Sequence, residues 1–422
     1  MLTDTFHDVD VENVAAGGWC VARHRFPGED RARVIFIRHT LPGERVRVHI
    51  TEETSRFLRA DAVEVLKASP DRVTPPCPYA GPGRCGGCDW QHAGPAAQRE
   101  LKAAVVREQF ARLAGIDRPV VVEELPGHPD GLGWRTRVQF AVTSSGKVGF
   151  RRHRSHDVHP VEECRIADSR VAELGVPRRP WPAATAVEAI TGSRDRAVIV
   201  TPTPNARPTT PPLDASTAVL SRDRRGRVSR VRGRSGVREH AAGREWRVGG
   251  SGFWQVHPAA ADTLASAVTD ALEPAAGETA LDLYCGVGLF AGVLAGRVGE
   301  SGRVVGVEAD AGAVRDARHN LRDLPQVEVE RGRVETVLPR LGLDRADVVA
   351  LDPPRAGAGP AVMEALAALR PRTVAYVSCD PATLARDVAH AHEIGLELTG
   401  LRAFDAFPMT HHVELLATLS AR

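Results

Sequence analysis

Hydrophobic positions in the first 66 residues come in short β-branched or alternating runs: Val9-Asp10-Val11-Glu12, Val34-Ile35-Phe36-Ile37 and Arg45-Val46-Arg47-Val48-His49-Ile50. Glycine turns separate them, at Gly17-Gly18, Gly28 and Leu41-Pro42-Gly43-Glu44. That pattern predicts a small β-barrel over residues 1–66. Residues 70–95 are rich in Pro, Gly and Cys. Leu101, Val105, Val106, Phe110 and Leu113 then recur near helical spacing and predict a helix over 95–114. Residues 134–164 read as strands interleaved with Arg135, Arg137, Arg151, Arg152 and Arg154. Residues 176–215, rich in Pro, Ala and Thr, give little signal.

From about residue 251 the character changes to alternating helix and strand. A helix is predicted over 256–272, then apolar strands at Thr279–Leu283, Val304–Glu308, Val348–Asp352 and Thr373–Ser378, with helices near 311–322 and from Pro381 to His390. Continuous apolar strands between helices predict a buried parallel sheet, an α/β Rossmann-like layer. The chain of 422 residues is too long for one ordinary core and divides into 1–66, 67–250 and 251–422.

The net charge of +2 is small, yet only Lys67, Lys102 and Lys147 among the 55 basic residues are lysines. Arginine suits phosphate and base stacking, but a GC-rich genome also raises its count everywhere. The basic stretch Arg222–Arg238, with Gly226, Gly233 and Gly236, reads as a hairpin facing RNA or as a solvated loop. No run is apolar and long enough to span a membrane, and no leader is evident, so a cytoplasmic protein with no membrane partner is expected. Its seven cysteines are then ligands, nucleophiles or core residues rather than disulfides.

Asp282-Leu283-Tyr284-Cys285-Gly286-Val287-Gly288 closes the first predicted parallel strand, and Glu308 closes the next. Glycines there let backbone approach a nucleoside, and an acid about 20 residues on can take ribose hydroxyls. The third glycine of a dinucleotide fingerprint is missing, which favours S-adenosylmethionine over a nicotinamide cofactor. Cys379 follows a strand and precedes a helix whose dipole would favour its thiolate; a lone cysteine is otherwise a core residue. Cys77, Cys85, Cys88 and Cys164 form a four-thiol set compatible with zinc or an iron–sulfur cluster.

Ser378-Cys379-Asp380-Pro381-Ala382-Thr383-Leu384-Ala385-Arg386-Asp387, together with Leu351-Asp352-Pro353-Pro354-Arg355 and Phe407-Pro408-Met409-Thr410-His411-His412-Val413-Glu414, resembles the RNA uracil-C5 methyltransferase family. Gly17-Gly18-Trp19-Cys20-Val21-Ala22-Arg23 and Leu41-Pro42-Gly43-Glu44 resemble the TRAM domain, an OB-like RNA-binding barrel. The resemblance implies Cys379 as nucleophile on uracil C6 and Glu414 as general base. It also implies Gln255, Tyr284, Gly286, Gly288, Glu308 and Asp352 as contacts to S-adenosylmethionine. Cys85-Gly86-Gly87-Cys88-Asp89-Trp90-Gln91-His92 and Pro160-Val161-Glu162-Glu163-Cys164 resemble the branch that binds a 4Fe–4S cluster, here through Cys77, Cys85, Cys88 and Cys164. The implied architecture is a TRAM barrel, a central α+β RNA-binding domain and a C-terminal Rossmann-like methyltransferase. The implied partner is RNA, 23S ribosomal RNA ahead of transfer RNA, and a monomer is expected. Two other readings stand beside it: a methyltransferase acting on another base, such as cytosine, and an RNA-binding factor that keeps the fold without catalysis. His411 and His412 are expected to orient or brace, and Cys20 and Cys285 to pack.

Overall fold

The computed structural model describes residues 4–422. Six strands form the first sheet: β1 (Phe6–Asp10), β2 (Asn13–Ala15), β3 (Trp19–His24), β4 (Arg33–Arg38), β5 (Arg45–Glu53) and β6 (Phe57–Lys67), ordered β1-β5-β6-β4-β3-β2. Their alternating inner positions, Cys20, Ile35, Ile37, Val46, Val48, Ile50 and Leu58, bury one apolar core. β1 ends at Asp10, short of the expected Glu12, because the Val11 and Glu12 amides turn to the Glu44 and Val21 carbonyls.

α1 (Pro95–Ala114) matches its predicted span. Pro95 opens it, where a missing N–H costs nothing, and Gly115, at φ 67°, ends it in the left-handed conformation. Its buried Val106 and Phe110 share a core with Leu384 and Val388. β7 (Val122–Glu124) follows and joins the edge of the C-terminal sheet.

A second sheet is ordered β10-β9-β8-β11-β12-β13-β14. Its strands are β8 (Arg137–Val142), β9 (Val148–Arg151), β10 (Val158–Pro160), β11 (Ala184–Thr191), β12 (Arg196–Pro202), β13 (Ala218–Arg222) and β14 (Val228–Arg232), with α2 (Ser169–Glu173) between β10 and β11. β11 and β12 occupy the stretch whose sequence gives little signal. Their Val187, Ala189, Val198 and Val200 are fully buried, so small and β-branched residues replace the alternation of a half-exposed strand. The basic stretch covers most of the β13–β14 hairpin and the start of the next strand, and several of its arginines are internally paired: Arg222 with Glu188, Arg227 with Asp223, and Arg238 with Asp195. A hairpin of β15 (Gly236–Ala241) and β16 (Arg244–Gly249) leads to the last layer.

That layer holds α3 (Ala260–Leu272), β17 (Thr279–Leu283), α4 (Leu289–Val298), β18 (Arg303–Glu308), α5 (Ala311–Asn320), β19 (Val327–Arg331), α6 (Val334–Val337), β20 (Val348–Leu351), α7 (Pro360–Ala368), β21 (Thr373–Ser378), α8 (Pro381–Glu393), β22 (Leu396–Asp405) and β23 (Glu414–Ala421). The sheet order is β19-β18-β17-β20-β21-β23-β22-β7. β17 to β21 run parallel to their neighbours, and β23 lies antiparallel to β21. α3 begins at Ala260 rather than at the expected residue 256. The Val256 carbonyl is taken by the Thr136 amide, and Pro258 disfavours helical backbone at His257. No helix among the described residues is long and apolar enough to cross a membrane.

Candidate functional site

The strand order reverses beside β17, where ligands of open α/β sheets bind. Past β17 the chain turns sharply: Tyr284, Gly286 and Gly288 have φ of 63°, 54° and 95°. A side chain at Gly288 would lie 2.7 Å from Leu321, whereas Gly286 faces open space, leaving its backbone approachable. Glu308 braces the turn by accepting the Gly286 amide at 3.0 Å and the Asp310 amide at 2.7 Å. Each oxygen keeps a free lone-pair direction for a ribose hydroxyl. Beneath the turn, the Asp282 Oδ2 accepts the Ala291 amide while its buried Oδ1 has no partner. Burial pushes this carboxyl up to about 7. The donor set and the open glycine backbone fit an adenosine moiety. Gln255 lines a small cavity with Thr136, Arg137 and Trp254, and Trp254 packs in one cluster with Val287 of the turn. Cys285 and Cys20 are buried and pack, as expected.

A second group gathers at the same sheet edge. In the β21–β23 register Ser378 stands opposite Leu415, so Cys379, one residue past β21, faces Glu414, the first residue of β23. Asp352 follows β20, and its amide donates to the Leu283 carbonyl at 3.2 Å. Asp380 caps α8 by accepting the Thr383 amide at 2.8 Å, with Pro381 after it, which leaves Cys379 outside the helix. Burial, then Glu414, pushes the thiol up to about 11, with Asp352 adding to the rise and Arg355 opposing it by charge and by a hydrogen bond. Glu414, 3% exposed, is not a solvent-facing strand residue. Burial and the neighbouring Asp352 hold it well above the ordinary carboxylate range against the pull of Arg355, and burial lifts Asp352 as well. Thiol, two carboxyls and one guanidinium therefore share one site, able to deliver a sulfur nucleophile and to receive a proton.

Sequence reasoning passed over Arg355 and Asp387, although both stand in the motifs it used. The Asp387 Oδ2 accepts the Tyr376 hydroxyl at 2.6 Å and the Ala358 amide at 2.8 Å, fixing the loop that carries Arg355. An arginine three residues past the strand-end acid was the available signal. His411 has the bracing role expected of it: its Nδ1 lies 2.6 Å from Asp89, which also meets Arg38 of the first sheet.

Cys77, Cys85, Cys88 and Cys164 line one cavity with Tyr79, Phe150 and Ile166, and none is in a disulfide. The long gap after Cys77 folds back on itself, with the Cys85 amide on the Tyr79 carbonyl at 3.1 Å. Among the described residues no three His, Cys, Asp or Glu side chains are grouped closely enough to hold a metal ion. Neither the cluster nor the zinc expected of these thiols is shown by that geometry. The arrangement is four thiols spread around a cavity.

Sequence profiles of known families match three stretches: the TRAM domain at residues 7–63, protein-L-isoaspartate(D-aspartate) O-methyltransferase at residues 255–336, and tRNA (Uracil-5-)-methyltransferase at residues 333–422. An uncharacterized RNA methyltransferase of Streptomyces coelicolor is 54% identical, with 98% of this chain and 92% of that one covered. The 23S rRNA (uracil(1939)-C(5))-methyltransferase RlmD of Alkalilimnicola ehrlichii is 34% identical, with 91% of each chain covered. The solved structure of Pyrococcus abyssi tRNA (uracil-54, C5)-methyltransferase in complex with S-adenosyl-L-homocysteine has a TM-score of 0.73 at 23% identity, with 98% of this chain and 100% of that one covered. That likeness extends the shared fold, TRAM β domain to Rossmann-like layer, along the whole chain. Near-full-length identity and fold together show that the chain belongs to the RNA uracil-C5 methyltransferase family, S-adenosylmethionine-dependent enzymes.

Proposed function

We propose that this protein methylates a uridine of 23S ribosomal RNA at C5, through a covalent bond between Cys379 and uracil C6, with Glu414 as the general base. The observation that carries the reading is the β21–β23 register, which sets Cys379 against Glu414 beside Asp352 and Arg355. The choice of ribosomal over transfer RNA rests on the relative named for 23S rRNA, since the tRNA enzyme is similar at the level of fold.

Uracil C5 is a weak nucleophile. The Cys379 thiol loses its proton to water, the thiolate Sγ bonds to C6, and the C5–C6 π pair moves into an enolate toward O4 that is nucleophilic at C5. Arg355, whose charge favours the thiolate, offsets the negative charge during attack. S-adenosylmethionine, when bound, supplies the electrophilic methyl group. Glu414 in its ionised form then takes the C5 proton, the C5–C6 double bond re-forms and the C6–S bond breaks. Its raised proton affinity makes it a stronger base than an exposed carboxylate. Gln255, Tyr284, Gly286, Gly288, Glu308 and Asp352 would hold the methyl donor.

The same reading divides the chain at 1–66, 67–250 and 251–422, with the first two units holding RNA and the target base flipped toward Cys379. It takes Cys77, Cys85, Cys88 and Cys164 as ligands of a 4Fe–4S cluster, a reading supported by four thiols that line one cavity with none in a disulfide. Methyl transfer is redox-neutral, so the cluster's part is structural.

The test is tritium release from 23S rRNA transcribed with uridine tritiated at C5, with S-adenosylmethionine and anaerobically purified protein. Release by wild type and none by Cys379→Ala is expected. Release from transfer RNA alone would replace the substrate, and release from neither would sink the reading.

A further inference from the structure

The base sits just past a segment with unusual backbone. Met409 has φ 67°, a left-handed conformation that a large side chain adopts only when its surroundings enforce it. Those surroundings come from another part of the chain. The Gln98 Oε1 accepts the Met409 amide at 2.7 Å, and the Met409 carbonyl accepts the Asp89 and Trp90 amides at 3.0 and 3.1 Å. One helical turn beyond Gln98, on the same face of α1, the Lys102 Nζ binds the Asp405 carboxylate and donates to the Phe407 carbonyl at 3.0 Å. Gln98 is 1% exposed and fully partnered, its Nε2 donating to the Ala93 and Trp90 carbonyls at 2.9 and 3.2 Å. Two polar side chains of α1 thus grip the first half of the segment that joins β22 to β23, from Asp405 to Met409. β23 opens with Glu414.

We propose that Gln98, seconded by Lys102, is a positioning residue that sets Glu414 against the C5 proton by holding Met409 in its left-handed conformation. The proposal rests on the reading of Glu414 as the base. Gln98 touches neither the cofactor turn nor Cys379, so its loss acts on the second half of the reaction. The C6–S bond still forms, and the C5 proton is removed slowly.

The experiment compares wild type, Glu414→Gln, Gln98→Met and Gln98→Glu as full chains on 23S rRNA tritiated at uracil C5. It follows tritium release and the covalent protein–RNA adduct that survives denaturing gel electrophoresis. Glu414→Gln is expected to hold adduct and release almost no tritium; release at the wild-type rate would remove Glu414 as the base without reference to Gln98. Gln98→Met fills the volume without the hydrogen bonds. It is expected to lower kcat about tenfold, as a displaced catalytic group does, with KM for RNA and S-adenosylmethionine within about twofold and more adduct at steady state. Wild-type kcat, or a parallel loss of adduct and turnover, overturns the proposal. Gln98→Glu keeps the acceptor for the Met409 amide and decides the matter where Gln98→Met does not fold. Turnover near wild type with little adduct supports the grip on Met409, and loss of adduct with turnover overturns it.

Discussion

Two sets of reactive side chains in this protein are each drawn from distant sequence, and they are held in different ways. Cys379 and Glu414 are neighbours because two paired strands share one register. Both strands are buried on both faces, so the pairing is fixed by the whole core of the sheet. Cys77, Cys85, Cys88 and Cys164 come from loops and converge on a cavity without closing around a point. A sheet edge supplies finished geometry by itself. A loop-built site supplies the right donors and leaves the final distances to whatever binds there.

The sharpest way to break this comparison is to remove chemistry from the rigid side. Cys379→Ala takes away the nucleophile and leaves the register intact. Methylation should fall by more than about 1000-fold, while S-adenosylmethionine binding by calorimetry stays near wild type. A large loss of cofactor affinity would mean that the two parts of the sheet edge are not separable. Glu414→Gln should cost about 100- to 10,000-fold in turnover, the usual range for a general base. Its adduct should persist because the thiol leaves only after the C5 proton does.

How far the sequence discloses each region follows the same division. The parallel strands at Thr279–Leu283 and Thr373–Ser378 were legible to the residue, because continuous apolar runs bounded by turn residues admit few alternatives. The helix Pro95–Ala114 was legible from its spacing and its Pro and Gly boundaries. β11 and β12 were not, because buried Ala, Thr and Val strands lack the alternation that marks a half-exposed sheet. In the site, Cys379 and Glu414 stood out through motif resemblance. The electrostatic balance around them was hidden, since it depends on Asp352 and Arg355, which only the fold brings there. The helix dipole suggested an activated thiol, whereas burial and Glu414 push it up.

On the loop-built side, the proposed cluster gives a smaller effect with a distinct signature. Protein purified without oxygen should carry about four iron atoms and matching sulfide, and Cys85→Ser or Cys164→Ser should lose them. kcat/KM for RNA should drop about tenfold. One zinc per chain and no sulfide would mean that the four cysteines close around a single ion.

The smallest effect tests how tightly the register couples the two catalytic groups. With its thiol near 11, Cys379 of the free enzyme is almost wholly protonated at pH 7. Alkylation by iodoacetamide should therefore quicken about tenfold for each pH unit from 7 toward 10, in proportion to the thiolate, and level off above the thiol's own value. The signs for the variants follow from charge. Arg355→Ala removes the cation that favours the thiolate and should move the inflection to higher pH. Glu414→Gln removes an acid whose charge disfavours it and should move the inflection to lower pH. Opposite shifts from two residues on different elements would mean that the fold sets both against the same sulfur. Identical profiles in all three proteins would mean that burial alone governs the thiol, and that the sheet edge is less finished than its register implies.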